Sequence, residues 1–291
     1  MTKFKSANEF VEEKLQDLML ALEEASNADC LTYAGPIAFG ADDAIRNAVE
    51  NLSGKKSKLM FVLETPGGFA ETARRISDIV RHHYCIVDFI VPSYAMSAGT
   101  ILVMSGDAIH MDYYSVLGPI DPQIEGPDGK LIPALGYLFR YEEMLTKANN
   151  GDISETELQI LLSFDQGQLY AYEQARDLSR SLLEEWLVKY KFKDWNITTS
   201  SQRPVSEEMK RHRAKEIADK LNDAKRWNSH GIGINMEKIR EELNLRIDDF
   251  GANQELNFAI RSYHRLLVDY MGKMGASCAV HTRSEFTRLR V

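Results

Sequence analysis

Lys58-Leu59-Met60-Phe61-Val62-Leu63 runs through Glu64 into Thr65-Pro66-Gly67-Gly68, and this stretch decides the fold. Five apolar residues in a row suit a strand covered on both faces rather than one with a wet side. Thr65 to Gly68 then turns the chain into an amphipathic helix from about Phe69 to His83. Proline cannot donate to a ladder, and two glycines allow other backbone to come close. The turn therefore presents free N–H groups at a helix N-terminus, where negative charge is favoured. Two readings stay open here: a tight strand-to-helix turn, or a cradle for an anion or a developing oxyanion.

Working outward, the pattern repeats. Cys30-Leu31-Thr32-Tyr33 reads as a strand and Ala41 to Leu52 as a helix. Cys85 to Val91 is another strand, ending at Pro92, and Ser97 to Ser105 is a helix. Short strands are predicted near Ala108–Met111 and Tyr113–Leu117. Strands alternating with helices imply βαβ units and a largely parallel sheet. In Pro92-Ser93-Tyr94-Ala95-Met96-Ser97-Ala98-Gly99-Thr100 the serine stands where strand gives way to helix. Such a junction lifts a hydroxyl out of the fold with the next N–H beside it, the logic of a nucleophile elbow without its G-x-S-x-G pattern. The plainer reading is a helix N-cap, the commonest duty of serine there. The two loops belong to consecutive strand–helix units, so both fall at the C-terminal edge of a parallel sheet, where ligands of open α/β folds bind.

Before this region, Ser6-Ala7-Asn8-Glu9 has the capping-box pattern and opens an amphipathic helix with Leu15, Leu18, Met19 and Leu22 on one side. That helix packs on its own domain or on a partner subunit. After Gln123 the composition changes. Gly126-Pro127-Asp128-Gly129 is a turn, and beyond it come helical, charged stretches: Leu138–Lys147, about Glu155 to Tyr190, Ser206–Asn222 and Met236–Leu243. The chain divides into an N-terminal helix (1–28), an α/β core (29–125), a helical extension (126–275) and a tail (276–291) with no assigned structure.

The 291 residues carry a net charge of −8, with 44% hydrophobic and 27% charged residues. That composition describes a globular protein and argues against nonspecific nucleic-acid binding. Three cysteines without framework spacing, no signal peptide and no long apolar run point to a cytoplasmic protein without an integral membrane segment. Cys30 and Cys85 open apolar runs, where buried thiols are usual. Cys278 and His281 give too few ligands for a zinc site, and no metal or cofactor is expected. Trp186, Trp195 and Trp227 read as core or interface anchors.

Three segments in order, Leu63-Glu64-Thr65-Pro66-Gly67-Gly68, Tyr94-Ala95-Met96-Ser97-Ala98-Gly99-Thr100 and Val116-Leu117-Gly118-Pro119-Ile120-Asp121-Pro122-Gln123, resemble the serine dehydrogenase proteinase (SDH-type) family. That family belongs to the Clp/crotonase superfamily, with the Clp protease proteolytic subunit and signal peptide peptidase A. The resemblance implies an α/β fold, a Clp/crotonase-like ββα spiral, followed here by a helical C-terminal extension. It implies a serine endopeptidase with Ser97 as nucleophile, Gly68 and Ala98 N–H groups as oxyanion donors and Gly67 supporting the loop. It also implies a peptide or unfolded protein as substrate and a homo-oligomer. Relatives activate the serine with His plus Asp or with Lys. The Clp histidine would fall near Ile120-Asp121, where this chain has none. By the spacing of the peptidase lysine, Lys147 is the nearest candidate base and Lys130 the second. Asp121 either orients a base or only forms a turn with Pro122. His110 reads as a core or surface residue, and His230, before Gly231, as a helix end that could still reach the site. Two rivals keep the fold: a degenerate peptide-binding scaffold, and a crotonase-type acyl-CoA enzyme.

Overall fold

The structure is a computed structural model that describes residues 5–125, 131–198 and 202–289. The strands are β1 (Asp29–Ala34), β2 (Lys58–Glu64), β3 (Ile86–Ile90), β4 (Tyr94–Ala95), β5 (Ala108–Met111), β6 (Val116–Leu117), β7 (Gln123–Glu125), β8 (Leu131–Pro133), β9 (Ile234–Asn235), β10 (Asp248–Asp249), β11 (Cys278–Thr282) and β12 (Phe286–Leu289). The α-helices are α1 (Ala7–Ser26), α2 (Ala41–Glu50), α3 (Ala70–His83), α4 (Ala98–Val103), α5 (Ala134–Asn150), α6 (Glu155–Leu162), α7 (Gln166–Trp186), α8 (Glu207–Asn222), α9 (Ala224–Trp227), α10 (Met236–Glu242) and α11 (Gln254–Lys273). A seven-stranded sheet in the order β10-β5-β3-β2-β1-β11-β12 forms the centre. Its first five strands are parallel; β11 and β12 add on antiparallel.

Alternate residues of the central strands feed two cores, as the period of two along a strand requires. Leu31, Tyr33, Phe61, Leu63 and Phe89 pack with α2, α3, α7 and α8 on one face. Cys30, Met60, Val62 and Ile90 pack on the other with Leu15, Met19 and Leu22 of α1 and Ile260, Tyr263 and Leu267 of α11. The N-terminal helix thus covers its own sheet, and the expected capping box at Ser6 and Glu9 is formed. A buried ion cluster fixes the C-terminal hairpin to α1 and β1. Arg283 lies 2.9 Å from Glu23 and 2.8 Å from Asp29, which is fully buried.

Several local expectations change. The long helix read from Glu155 to Tyr190 breaks at Ser163–Asp165, because Asp165 caps a new helix by accepting from Gln168 N–H at 2.8 Å. Its end relaxes into a π-turn over Leu187–Lys191. The strand read from Tyr113 starts only at Val116, because Asp112 accepts from the N–H groups of Tyr114 and Ser115 and folds the chain. Cys85 is exposed rather than buried, while Cys30 and Cys278 are buried. The 276–291 segment supplies β11 and β12. The turn at Gly126–Gly129 and Lys130 lie outside the described residues. Among the described residues, no helix is long and apolar enough to cross a membrane.

Candidate functional site

The β2 turn and the serine junction are tied together by backbone. Thr65 N–H donates to Tyr94 O at 3.0 Å and Met96 N–H to Thr65 O at 2.9 Å, a parallel bridge that prolongs β2 alongside β4. The Thr65 hydroxyl accepts from Gly67 N–H at 3.1 Å and tightens the turn. Gly67 (φ 106°) and Gly68 (φ 145°) both lie where L-residues are strained. A Cβ on Gly67 would stand 2.8 Å from Ser97 Cβ, so the turn and the serine touch directly. Across the turn, Ile37 N–H donates to Gly67 O and Phe69 N–H to Ile37 O, both at 2.8 Å.

Ser97 precedes α4 with φ 50° and ψ −116°, a conformation costing about 1–3 kcal/mol for a residue with a Cβ. Its surroundings impose it. Met96 is held by Thr65 on one side and by Gly99 N–H on the other, and Ser97 O accepts from Ile101 N–H. The Ser97 side chain caps nothing, so the plain N-cap reading does not describe it. Among the described residues, the Ser97 hydroxyl and the amides of Gly68 and Ala98 have no hydrogen-bond partner. Pro66, Gly68, Ser97 and Ala98 line one cleft of about 930 Å³, which Ala175 and Leu178 of α7 and the Asn228–Gly231 loop also line.

That loop brings His230. β9 pairs antiparallel with β6, Val116 opposite Asn235 and Leu117 opposite Ile234. Continued outward, the same register sets Asp121 opposite His230, and the two meet: Nδ1 lies 2.9 Å from Oδ1. Asp121 is 1% exposed and its other oxygen accepts from Gln123 Nε2 at 3.0 Å. Ile120 N–H donates to Leu221 O and Trp227 Nε1–H to Lys220 O, which anchors both loops to the end of α8. With Nδ1–H given to Asp121, Nε2 is left as an acceptor on a side chain that lines the cleft. No hydrogen bond joins it to Ser97 in this state.

Lys147 is not brought to the cleft. It pairs with Glu157 at 2.6 Å on the surface between α5 and α6, and that carboxylate raises its pKa. A base needs the opposite shift. His110 faces Asp88 at 3.4 Å inside the main sheet. Among the described residues, no group of three His, Cys, Asp or Glu side chains is placed to hold a metal ion. What the sequence hid is the His230–Asp121 pair, whose partners stand 109 residues apart. A short apolar Ile232-Gly233-Ile234 run after the histidine was the available hint of a pairing strand.

Two curated proteins of Methanocaldococcus jannaschii, the uncharacterized proteins MJ0137 and MJ1495, are each 31% identical to this chain, over 146 and 129 residues. The matches cover 47% and 42% of this chain and 49% and 42% of those proteins, so the chain spans about half the length of the curated relatives it matches. Among solved structures, a serine-to-alanine mutant of the 1510-N membrane-bound stomatin-specific protease has a TM-score of 0.43 at 11% identity, over 75% of this chain and 76% of that one. A lysine mutant of the same protease, in complex with a substrate peptide, gives 0.42 at 14% identity, over 75% and 72%. The model of the ClpP-like SDH-type serine proteinases matches residues 41–194, which include Gly67, Gly68, Ser97 and Asp121 but not His230. With more than half of its length matched, this chain belongs to the family of ClpP-like SDH-type serine proteinases.

Proposed function

We propose that the chain is a serine peptidase in which Ser97 is the nucleophile, His230 its general base and Asp121 the group that orients the base. The reading rests on one observation: a histidine held by a buried carboxylate lines the same cleft as an unpartnered, strained serine. Ser97 Oγ attacks the scissile carbonyl and its proton passes to His230 Nε2. The oxyanion is received by the N–H groups of Gly68 and Ala98, donors worth about 2.7–4 kcal/mol each in comparable sites. As the C–N bond breaks, Nε2–H protonates the leaving amine. Water then attacks the Ser97 ester, gives its proton to Nε2 and releases the acid. Serine and imidazole are unbonded in the free state and come together when substrate fills the cleft, as catalytic hydrogen bonds often do.

The substrate class is a peptide or an unfolded protein, a reading supported by a cleft lined by the Pro66 and Gly68 segment, whose Gly68 N–H is unpartnered. A homo-oligomer fits the exposed Leu158, Ile160 and Leu162 of α6, a helix with no buried residue. The His230–Asp121 pair favours the hydrolase over a degenerate scaffold, which needs no oriented imidazole. A fluorophosphonate probe tests the reading. Wild type takes one label, Ser97→Ala takes none, and His230→Ala labels far more slowly. Labelling that persists in Ser97→Ala, or a folded wild type that never labels, overturns it.

A further inference from the structure

Phe39 and Phe69 form a stacked pair beside the cleft, ring centroids 4.7 Å apart and planes 25° from parallel. They are 76% and 48% exposed, an unusual fate for two adjoining phenyl rings. Neither ring supports the core, so their position calls for another account. Phe69 directly follows Gly68 and itself lines the cleft. Its N–H is fastened to Ile37 O, two residues before Phe39. Gly40, at φ 92°, then turns the chain sharply into α2. The two rings are thus held by the same backbone that carries the Gly68 amide: Phe69 lines the cleft and Phe39 stacks on it.

We propose that Phe39 and Phe69 form a substrate subsite that grips an apolar side chain of the peptide flanking the scissile bond. The proposal rests on the peptidase reading of the cleft, and it names the substrate feature that the cleft selects. Continuity decides for substrate over a second copy of the chain: one ring of the pair is a wall of the cleft, next in sequence to Gly68. A stacked pair is already ordered, so a leucine or phenylalanine laid on it is bound at little further entropic cost. An apolar side chain gains roughly tenfold in affinity from such a contact, and a serine or glycine gains nothing.

The test uses the Ser97→Ala protein, which cannot turn substrate over, and two fluorescent peptides differing only in apolar or serine flanks. Anisotropy titrations should show the apolar peptide bound about tenfold more tightly. Phe39→Ala should cut that preference to about twofold or less, and Phe39→Tyr should keep it. Phe39 is largely exposed, and melting curves verify that both variants fold. An undiminished preference in folded Phe39→Ala, or no preference before mutation, overturns the subsite. Fluorophosphonate labelling of the wild type reports separately on the peptidase reading, so the two ideas fail independently.

Discussion

His230 and Asp121 face each other across the outward continuation of the β6–β9 pair, with Nδ1 2.9 Å from a carboxylate oxygen that is closed to solvent. A carboxylate in that place selects the tautomer that leaves Nε2 bare and stabilises the imidazolium once it forms. Replacing Asp121 by Asn keeps the shape and removes the charge. We expect Asp121→Asn to lower kcat by about 10³–10⁴-fold while the fold survives. His230→Ala should give a similar loss, and the double variant should lose little more. Steady-state cleavage of a quenched peptide measures all three.

Gly67 is where the turn and Ser97 touch. Alanine there must adopt φ 106° and push its methyl against Met96 O and Ser97 Cβ, each 2.8 Å away. The serine or the turn must move, and either shift pulls the hydroxyl out of line with the Gly68 and Ala98 amides. We expect Gly67→Ala to lower kcat by about 10²–10³-fold, the loss typical of one missing oxyanion donor, with a lowered Tm. Cleavage within twofold of wild type would show that the turn has no part in the reaction.

The fold was largely legible because its signals are local. The Leu59–Leu63 run, Pro66-Gly67-Gly68 and the small residues around Ser97 each announce their own element. The His230–Asp121 pair, which holds the proposed base, was not legible, for a physical reason. His230 reaches Asp121 through a two-residue strand, Ile234–Asn235, too short to show a period of two, pairing with another two-residue strand at Val116–Leu117. The spacing of the lysine in the peptidase relatives pointed to Lys147, but spacing along a chain does not reveal that Glu157 is its neighbour. Cys278–Thr282 was equally hard to read, because it becomes a strand only against β1, some 250 residues earlier.

Arg283 gives a prediction about stability. Its guanidinium lies among Glu23 and Asp29, both buried, and also bonds Ser53 O at 2.5 Å. Arg283→Met leaves two buried carboxylates without a cation. We expect a loss of about 3–5 kcal/mol in unfolding free energy by urea titration. A variant within about 1 kcal/mol of wild type would mean that the cluster is neutral in balance.

His281 gives a prediction in pH. It is 1% exposed, stacks on Tyr263 and hydrogen-bonds its hydroxyl at 2.8 Å. Burial lowers its pKa from 6.5 to about 4. Between those values the unfolded chain binds the extra proton and the folded one does not, so stability rises with pH through that window. The contribution is complete above about pH 6.5 and is lost as pH falls toward 4, by up to about 3 kcal/mol. His281→Gln should flatten that part of the pH–stability curve, measured by denaturant unfolding at half-unit intervals.

The most direct measurement is a crystal structure of the protein inactivated by a peptidyl phosphonate. We expect phosphorus bonded to Ser97 Oγ, the phosphonyl oxygen about 2.7–3.1 Å from the N–H groups of Gly68 and Ala98, and His230 Nε2 within hydrogen-bond reach of the adduct. An adduct on another residue, or one on Ser97 whose oxygen turns away from both amides, would contradict the account.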